Sequence, residues 1–146
     1  MNYLTNNEAE TVSLGKKIAA SLQGGEVMTF SGELGAGKTT LIKGIAAGLG
    51  VKKIITSPTF LLMRVYELSK GSKTIKALVH IDCYRIKHPD EILSIGAVEY
   101  FGQKNTVVLI EWPEKIKKLL PRQYNQFKIG LEKNATTVRH ITSNPL

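Results

Sequence analysis

The sequence has a single cysteine, Cys83, and contains no apolar run long enough to cross a bilayer. One cysteine excludes an intramolecular disulfide, and it leaves the redox compartment open although a reducing cytosol is compatible. A membrane-spanning helix needs about 20 consecutive apolar residues. The polar, acidic start, MNYLTNNEAE, is also unlike a secretory signal. We therefore expect a cytoplasmic protein.

Acidic residues are few: the chain has 12 against 20 lysines and arginines, which gives a formal net charge of +8. Such a balance attracts polyanions, including RNA, without reading their sequence. No aromatic-interleaved RNA-binding pattern accompanies the lysines, however. Ordinary solvated surface lysines are an equally good interpretation, so the charge alone does not identify a partner.

Linkers, internal repeats and low-complexity tracts are also missing. At 146 residues the chain suits one compact domain with a sizeable core. We expect residues 1–146 to form a single domain.

The most informative stretch runs from Glu26 to Leu49, EVMTFSGELGAGKTTLIKGIAAGL. A β-favouring run, 27–30, meets a glycine-rich loop, 32–39, and apolar residues then recur with helical spacing from Leu41. The octet GELGAGKT fits the P-loop pattern and lies between a predicted strand and a predicted helix, as that motif requires. This context disfavours a glycine-rich turn that matches by chance.

A P-loop holds a triphosphate with converging backbone N–H groups and with the positive end of the following helix dipole. Lys38 can reach the β- and γ-phosphates, and the Thr39 hydroxyl can ligate Mg²⁺. The predicted nucleotide contacts in this loop are Leu34, Gly35, Ala36, Gly37, Lys38, Thr39 and Thr40.

Two carboxylates stand at the ends of β-rich runs. Asp82 ends the run 74–82, where it can position the attacking water or a Mg²⁺-bound water, or instead pair with Arg85. Glu111 follows the apolar run 106–110, which is the Walker B arrangement, although Walker B usually offers Asp. Glu111 is therefore a candidate Mg²⁺ ligand or general base.

Apolar periodicity and turn residues predict five further elements. The first is a helix over 6–22, capped by Asn6 or Asn7 and ended by Gly24-Gly25, and the second is a loop over 54–60. The others are an antiparallel hairpin of 61–68 and 74–82 around a turn at 69–73, two short helices or one bent helix from Pro89 to Phe101, and a C-terminal antiparallel hairpin of 124–131 and 136–142.

Side chains in or beside these elements give weaker signals. The hydroxyls of Ser57 and Thr59 are well placed to sense a γ-phosphate, although a plain connection would look similar. Trp112, beside Glu111, can cover the nucleotide pocket or form a lid that does not contact nucleotide. His80 and Cys83 do not make a zinc site, because a structural zinc needs about four ligands and no other histidine has matching spacing.

The motifs GELGAGKTT, SPTF, HIDCYRI, PDEILSIG and IEWPEKI occur in this order between about Glu8 and Lys115. In these motifs the chain resembles the TsaE family, bacterial P-loop ATPases required for threonylcarbamoyladenosine (t6A) modification of tRNA beside the anticodon. The resemblance implies a three-layer α/β P-loop NTPase fold with a mainly parallel central sheet. It also implies binding of ATP and Mg²⁺.

The same resemblance implies the partners TsaB and TsaD, of which TsaD transfers the threonylcarbamoyl group. ATP binding and hydrolysis would then permit repeated turnover of these partners, and tRNA would be reached through the assembly. Carried over by motif, the implied catalytic residues are Lys38, Asp82 and Glu111, the Mg²⁺ contacts are Thr39 and Glu111, and the γ-phosphate-sensing residues are Ser57 to Thr59. Glu8 and Arg139 align with family positions near the nucleotide.

Three other classes of protein share the P-loop. A small-molecule kinase usually carries several arginines in a lid, whereas the four arginines here are scattered along the sequence. A GTPase is disfavoured because no N/T-K-x-D motif follows the Walker B run. A nucleotide-gated binding module with negligible turnover stays open, since it would need the same pocket.

Overall fold

A computed structural model of the chain describes residues 1–68 and 74–144. The predicted turn at 69–73 lies outside the described residues. The strands and α-helices are β1 (Asn2–Thr5), α1 (Glu8–Ser21), β2 (Val27–Ser31), α2 (Lys38–Gly48), β3 (Met63–Glu67), β4 (Ala77–Asp82), α3 (Asp90–Ser94), β5 (Thr106–Glu111), β6 (Asn125–Glu132) and β7 (Ala135–Ser143), with 3₁₀ helices at Ala97–Tyr100 and Pro113–Leu119.

All seven described strands join one mixed sheet in the order β1-β7-β6-β2-β5-β4-β3. The four central strands are parallel to one another, since β2 pairs with both β5 and β6, and β4 pairs with β5. The strands towards both edges pair antiparallel: β3 with β4, β6 with β7, and β7 with β1. The expectation of a mainly parallel sheet therefore describes its centre and not its edges.

The edge strand β1 was not expected from the sequence. Its four residues include only one buried side chain, Thr5, so they show no alternating apolar pattern. The strand exists because β7 offers it a free edge, with Asn2 opposite Thr142 and Thr5 opposite Arg139. Pairing with a distant strand, rather than local propensity, decides this element.

Apolar side chains are buried on both faces of the sheet. Met28, Phe30 and Leu109 point into a core shared with α1 and α2. The alternate residues Val27 and Val108 point into a second core, formed with α3 and the 3₁₀ helices. Strands buried on both faces explain the continuous apolar runs in the sequence.

The helices α1 and α2 cross in close contact, where a Cβ added to Gly15 would lie 2.7 Å from the Gly44 Cα. Helix α1 begins as predicted, with the Asn7 side chain accepting from the Glu10 N–H. No helix in residues 1–68 and 74–144 is long and apolar enough to span a membrane.

Between β4 and β5 the chain forms two short helices, the first of the two arrangements that the sequence allowed. Gly96, at φ 71°, separates them. The Glu91 carboxylate accepts hydrogen bonds from the N–H groups of His88 and Lys87 before α3, and these bonds lower its pKa.

Candidate nucleotide-binding site

The carboxyl ends of β2, β4 and β5 surround a cavity of ≈ 280 Å³ at the start of α2. A sheet edge where parallel strands end is a common place for ligands in α/β proteins. The residues that line the cavity are Leu34, Gly35, Gly37, Lys38, Thr39, Thr40, Ser57, Thr59, Asp82, Tyr84, Glu111, Trp112 and Arg139.

The structure thus brings together most of the residues singled out in the sequence, with two exceptions. Ala36 is buried beneath the loop, 1% exposed, and its N–H donates to the Glu33 carbonyl at 3.1 Å. Glu8 is exposed at the first residue of α1 and does not line the cavity. Neither side chain is therefore placed to contact a ligand in this cavity.

The loop between β2 and α2 has the geometry of an anion cradle. Gly35 and Gly37 have φ values of 79° and 104°, which side-chain-bearing residues rarely adopt. Within the described part of the chain, the backbone N–H groups of Gly35, Gly37 and Lys38 donate to no protein acceptor. These groups are available to phosphate oxygens at the positive end of the α2 dipole.

Arg139 reaches this loop from β7. A Cβ added to Gly37 would lie 2.4 Å from the Arg139 Nε, so the guanidinium packs directly against the glycine. One Arg139 nitrogen, Nη1, donates to the Thr137 carbonyl at 2.8 Å, while the buried Nε has no partner among the described residues. The C-terminal strand therefore supplies a cation at the edge of the cradle.

The Lys38 side chain lies back on its own loop. Its Nζ donates to the carbonyls of Gly32 at 2.7 Å and Glu33 at 2.8 Å, and it stands 4.1 Å from the centroid of the Trp112 ring. Burial lowers the pKa of Lys38, and the nearby Glu111 carboxylate partly opposes this shift. A phosphate would offer the ammonium group a stronger, charged acceptor.

Thr39 and Glu111 face each other across the floor of the cavity. The Thr39 hydroxyl lies 3.0 Å and 3.1 Å from the two carboxylate oxygens of Glu111. A hydroxyl and a carboxylate at this separation fit Mg²⁺, which prefers oxygen ligands and is usually bound by one or two carboxylates together with substrate phosphates.

Asp82 is held by three protein donors. Its Oδ2 accepts from the hydroxyls of Ser57 and, at 2.9 Å, Thr59, and its Oδ1 accepts from the Tyr84 N–H at 2.8 Å. Asp82 therefore fastens the 54–60 loop to the end of β4, which places Ser57 and Thr59 in the cavity wall.

The alternative ion pair between Asp82 and Arg85 does not form in the described structure. The Arg85 guanidinium instead lies over the Phe60 ring, with its Cζ 4.2 Å from the ring centroid. Because the three donors to Asp82 are hydroxyls and a backbone N–H, the position of its carboxylate does not depend on Arg85.

Two residues at the site were not predicted. The Tyr84 ring packs on Trp112, with centroids 5.0 Å apart. His80 lies behind Glu111, with its Nε2 2.9 Å from Oε1. A signal for His80 existed, because it lies two residues before Asp82 on β4 and so faces the same side of the sheet.

Comparison with known proteins gives a consistent result. The family model described as "Threonylcarbamoyl adenosine biosynthesis protein TsaE" matches residues 5–141. A Bacillus subtilis (strain 168) protein named "tRNA threonylcarbamoyladenosine biosynthesis protein TsaE" is 37% identical over 142 residues, covering 97% of this chain and 84% of the relative. A protein of the same name from Aquifex aeolicus is 40% identical over 116 residues, covering 78% of this chain and 77% of that relative.

The fold agrees with a solved relative as well. The crystal structure of YdiB from Bacillus subtilis superimposes with a TM-score of 0.76 at 34% identity, covering 98% of this chain and 83% of that one. Since the family model and close relatives both span most of its length, the chain belongs to the TsaE family.

Proposed function

We propose that this chain is the ATP-binding and ATP-hydrolysing subunit of a cytoplasmic system that makes t6A in tRNA, working with TsaB and TsaD. It would act as a single P-loop NTPase domain of three layers, with helices on both faces of the sheet and a C-terminal antiparallel hairpin. The observation that carries the proposal is the P-loop hydroxyl of Thr39 facing the Glu111 carboxylate beneath a cradle of backbone N–H groups that have no partner among the described residues.

The phosphates would be bound by the loop 34–40. Lys38 would exchange its carbonyl acceptors for phosphate oxygens, and Arg139 would add a second cation from β7. Thr39 and Glu111 would hold Mg²⁺, which neutralises phosphate charge when bound. The +8 net charge of the chain favours attraction of the anionic nucleotide towards the molecule.

The catalytic part would consist of Asp82 and the hydroxyls it holds. Ser57 and Thr59 would respond to the γ-phosphate, because both line the cavity. Their hydroxyls donate to Asp82, so a change at either one would be passed to that carboxylate. Asp82 would orient the attacking water while keeping that loop in place. Proton transfer or water positioning of this kind contributes about 10²- to 10⁴-fold in rate.

The place in tRNA modification rests on the family. The curated relatives are named as t6A biosynthesis proteins, and in the family TsaB and TsaD are the partners of the ATPase. Hydrolysis would reset the partners between turnovers, and tRNA would be reached through the assembly.

One observation favours a second candidate, a nucleotide-gated binding module with negligible turnover. Asp82 already accepts three protein hydrogen bonds, so only about one of its four acceptor positions is left for a water. A small-molecule kinase has less support, since Arg139 is the one arginine among the described residues that line the cavity.

The test is a reconstituted t6A assay under multiple-turnover conditions, with this protein included or withheld, together with ATP hydrolysis measured alone and with TsaB and TsaD. We expect sustained modification to require the protein and hydrolysis to rise with the partners. Modification that requires ATP binding but proceeds without hydrolysis would favour the binding module. Modification that is indifferent to the protein would contradict both candidates.

A further inference from the structure

His80 is a buried polar residue that the proposed chemistry does not yet use. It lies on β4, it is 0% exposed, and it does not line the nucleotide cavity. Its Nε2 lies 2.9 Å from the Glu111 Oε1. Any effect of His80 on a ligand in the cavity must therefore act through Glu111.

The direction of this hydrogen bond follows from the chemistry of its partners. An ionised carboxylate can only accept, so the hydrogen lies on the His80 Nε2. The other ring nitrogen, Nδ1, is buried and has no hydrogen-bond partner in the described structure. Leaving a buried polar atom unpaired is unfavourable, and an apolar side chain at this position would avoid it. Packing alone therefore gives no reason for a histidine here.

The sheet explains how one ring can control the carboxylate. In the parallel pair of β4 and β5, Asp82 lies opposite Glu111 and His80 lies one step back, opposite Leu109. Residues two apart on a strand share a face, so the imidazole stands behind the Glu111 side chain on the same side as α2. Thr39 contacts the same carboxylate from the start of α2.

We propose that His80 is the positioning residue of Glu111. Its Nε2–H fixes the carboxylate from behind and occupies Oε1, so that the group keeps the orientation in which Thr39 and Glu111 together would receive Mg²⁺. This inference rests on the proposed function, because it concerns how tightly Mg²⁺-bound nucleotide is held. Outer partners of metal ligands typically change metal affinity by about 10- to 100-fold when they are removed.

Two variants with amide side chains at position 80 distinguish the positioning role from a role of His80 in core packing. His80→Gln places a side-chain N–H near the position of Nε2, whereas His80→Asn is shorter and cannot reach Glu111. His80→Leu removes the donor while filling most of the space. Leu78→Ala is the matched control, since Leu78 lies on the same strand and face, is equally buried and does not line the cavity.

The measurement is calorimetric binding of ADP with Mg²⁺ and with a chelator, together with thermal melting of each protein without nucleotide. In His80→Asn and His80→Leu we expect the tightening of ADP by Mg²⁺ to fall about 10- to 100-fold, while metal-free affinity stays near the wild-type value. His80→Gln should recover most of the Mg²⁺ effect. Leu78→Ala should melt earlier but retain it.

Different failures point to different conclusions. If Mg²⁺ does not change the affinity of the wild-type protein for ADP, the result would contradict the proposed function and the positioning role of His80 with it. A wild-type Mg²⁺ effect that survives in His80→Asn, or that is lost equally in Leu78→Ala, would overturn the positioning role alone. If His80→Leu fails to fold, the comparison of the Gln and Asn variants still decides the matter.

Discussion

Lys38 and Trp112 are in direct contact: the ammonium nitrogen lies 4.1 Å from the centroid of the indole ring. The same nitrogen donates to two carbonyls of its own loop. A Lys38 side chain that turned towards a phosphate would leave the ring face, so we expect the environment of the indole to change when the cradle is occupied.

We expect the fluorescence of Trp112, the only tryptophan, to change on addition of ADP or ATP. The change arises because a cation leaves the ring face and phosphate charge enters beside it. GTP at equal concentration should do little, since the sequence lacks the guanine-reading motif. A titration that shows no change while calorimetry shows ATP binding would place the indole away from the nucleotide.

Lys38→Ala should fold but bind MgATP about 10- to 100-fold more weakly, because a hydrogen bond to a charged group contributes roughly 1.5–3 kcal/mol. Hydrolysis should fall with binding. Lys43→Ala is the control, since Lys43 is an exposed lysine on the same helix. Undiminished turnover by purified Lys38→Ala would remove Lys38 from the site.

We expect substitutions of Glu111 and Asp82 to have different effects: the first on Mg²⁺-dependent binding and the second on turnover. Glu111→Ala, like Thr39→Ala, should weaken MgATP more than metal-free nucleotide, because each removes an oxygen ligand suited to Mg²⁺. Calorimetry with Mg²⁺ and with a chelator measures the difference. Equal weakening in both conditions would mean that Glu111 does not hold the metal.

Asp82→Ala should spare ATP binding and depress turnover by about 10²- to 10⁴-fold. The variant should still bind TsaB and TsaD in ATP but fail to support sustained tRNA modification. Releasing Ser57 and Thr59 should also speed proteolysis within the 54–60 loop. Asp90→Ala, at a carboxylate exposed on α3, controls for loss of charge. Wild-type modification by Asp82→Ala would refute its catalytic role.

Gly37→Ala should abolish the phosphate cradle. The residue would have to adopt φ 104°, at a cost of about 1–3 kcal/mol, and its Cβ would collide with Arg139. Gly50→Ala has similar backbone strain, at φ 87°, but open space around it. We expect both variants to melt earlier and only Gly37→Ala to lose ADP binding in calorimetry; normal binding by Gly37→Ala would be incompatible with the cradle.

Cys83 should resist thiol reagents in the folded protein. Burial, reinforced by the nearby Asp82 charge, raises the pKa of Cys83 from 9.0 to about 12. The folded protein therefore keeps the thiol protonated at pH values where the unfolded chain ionises, and this group makes stability fall as pH rises from about 9 towards 12.

At pH 9 we expect labelling of the native Cys83 to be at least about 100-fold slower than labelling in denaturant, because the thiolate is the reactive form. The labelling rate should rise under conditions that unfold the protein. Rapid native labelling would mean that the thiol is accessible and ionised.

The sequence by itself determined the chemistry that this protein offers. The loop before α2 and the start of that helix contain Gly35, Gly37, Lys38 and Thr39 within five positions. Backbone preferences over these few residues are enough to form the loop and begin the helix. The run ending at Glu111 likewise predicted a buried strand that delivers a carboxylate, since continuous apolar residues are typical of strands covered on both faces.

Tertiary structure alone decided which of these groups meet. Thr39 and Glu111 are 72 residues apart, and no periodicity encodes the order of the strands that brings them together. Four further features have the same origin. They are the edge strand β1, the packing of the Arg139 guanidinium on Gly37, the contact of Lys38 with Trp112, and the pairing of Asp82 with Ser57 and Thr59 instead of Arg85. Each depends on packing between segments distant in the chain, where several pairings satisfy the local preferences equally and only the assembled sheet selects one.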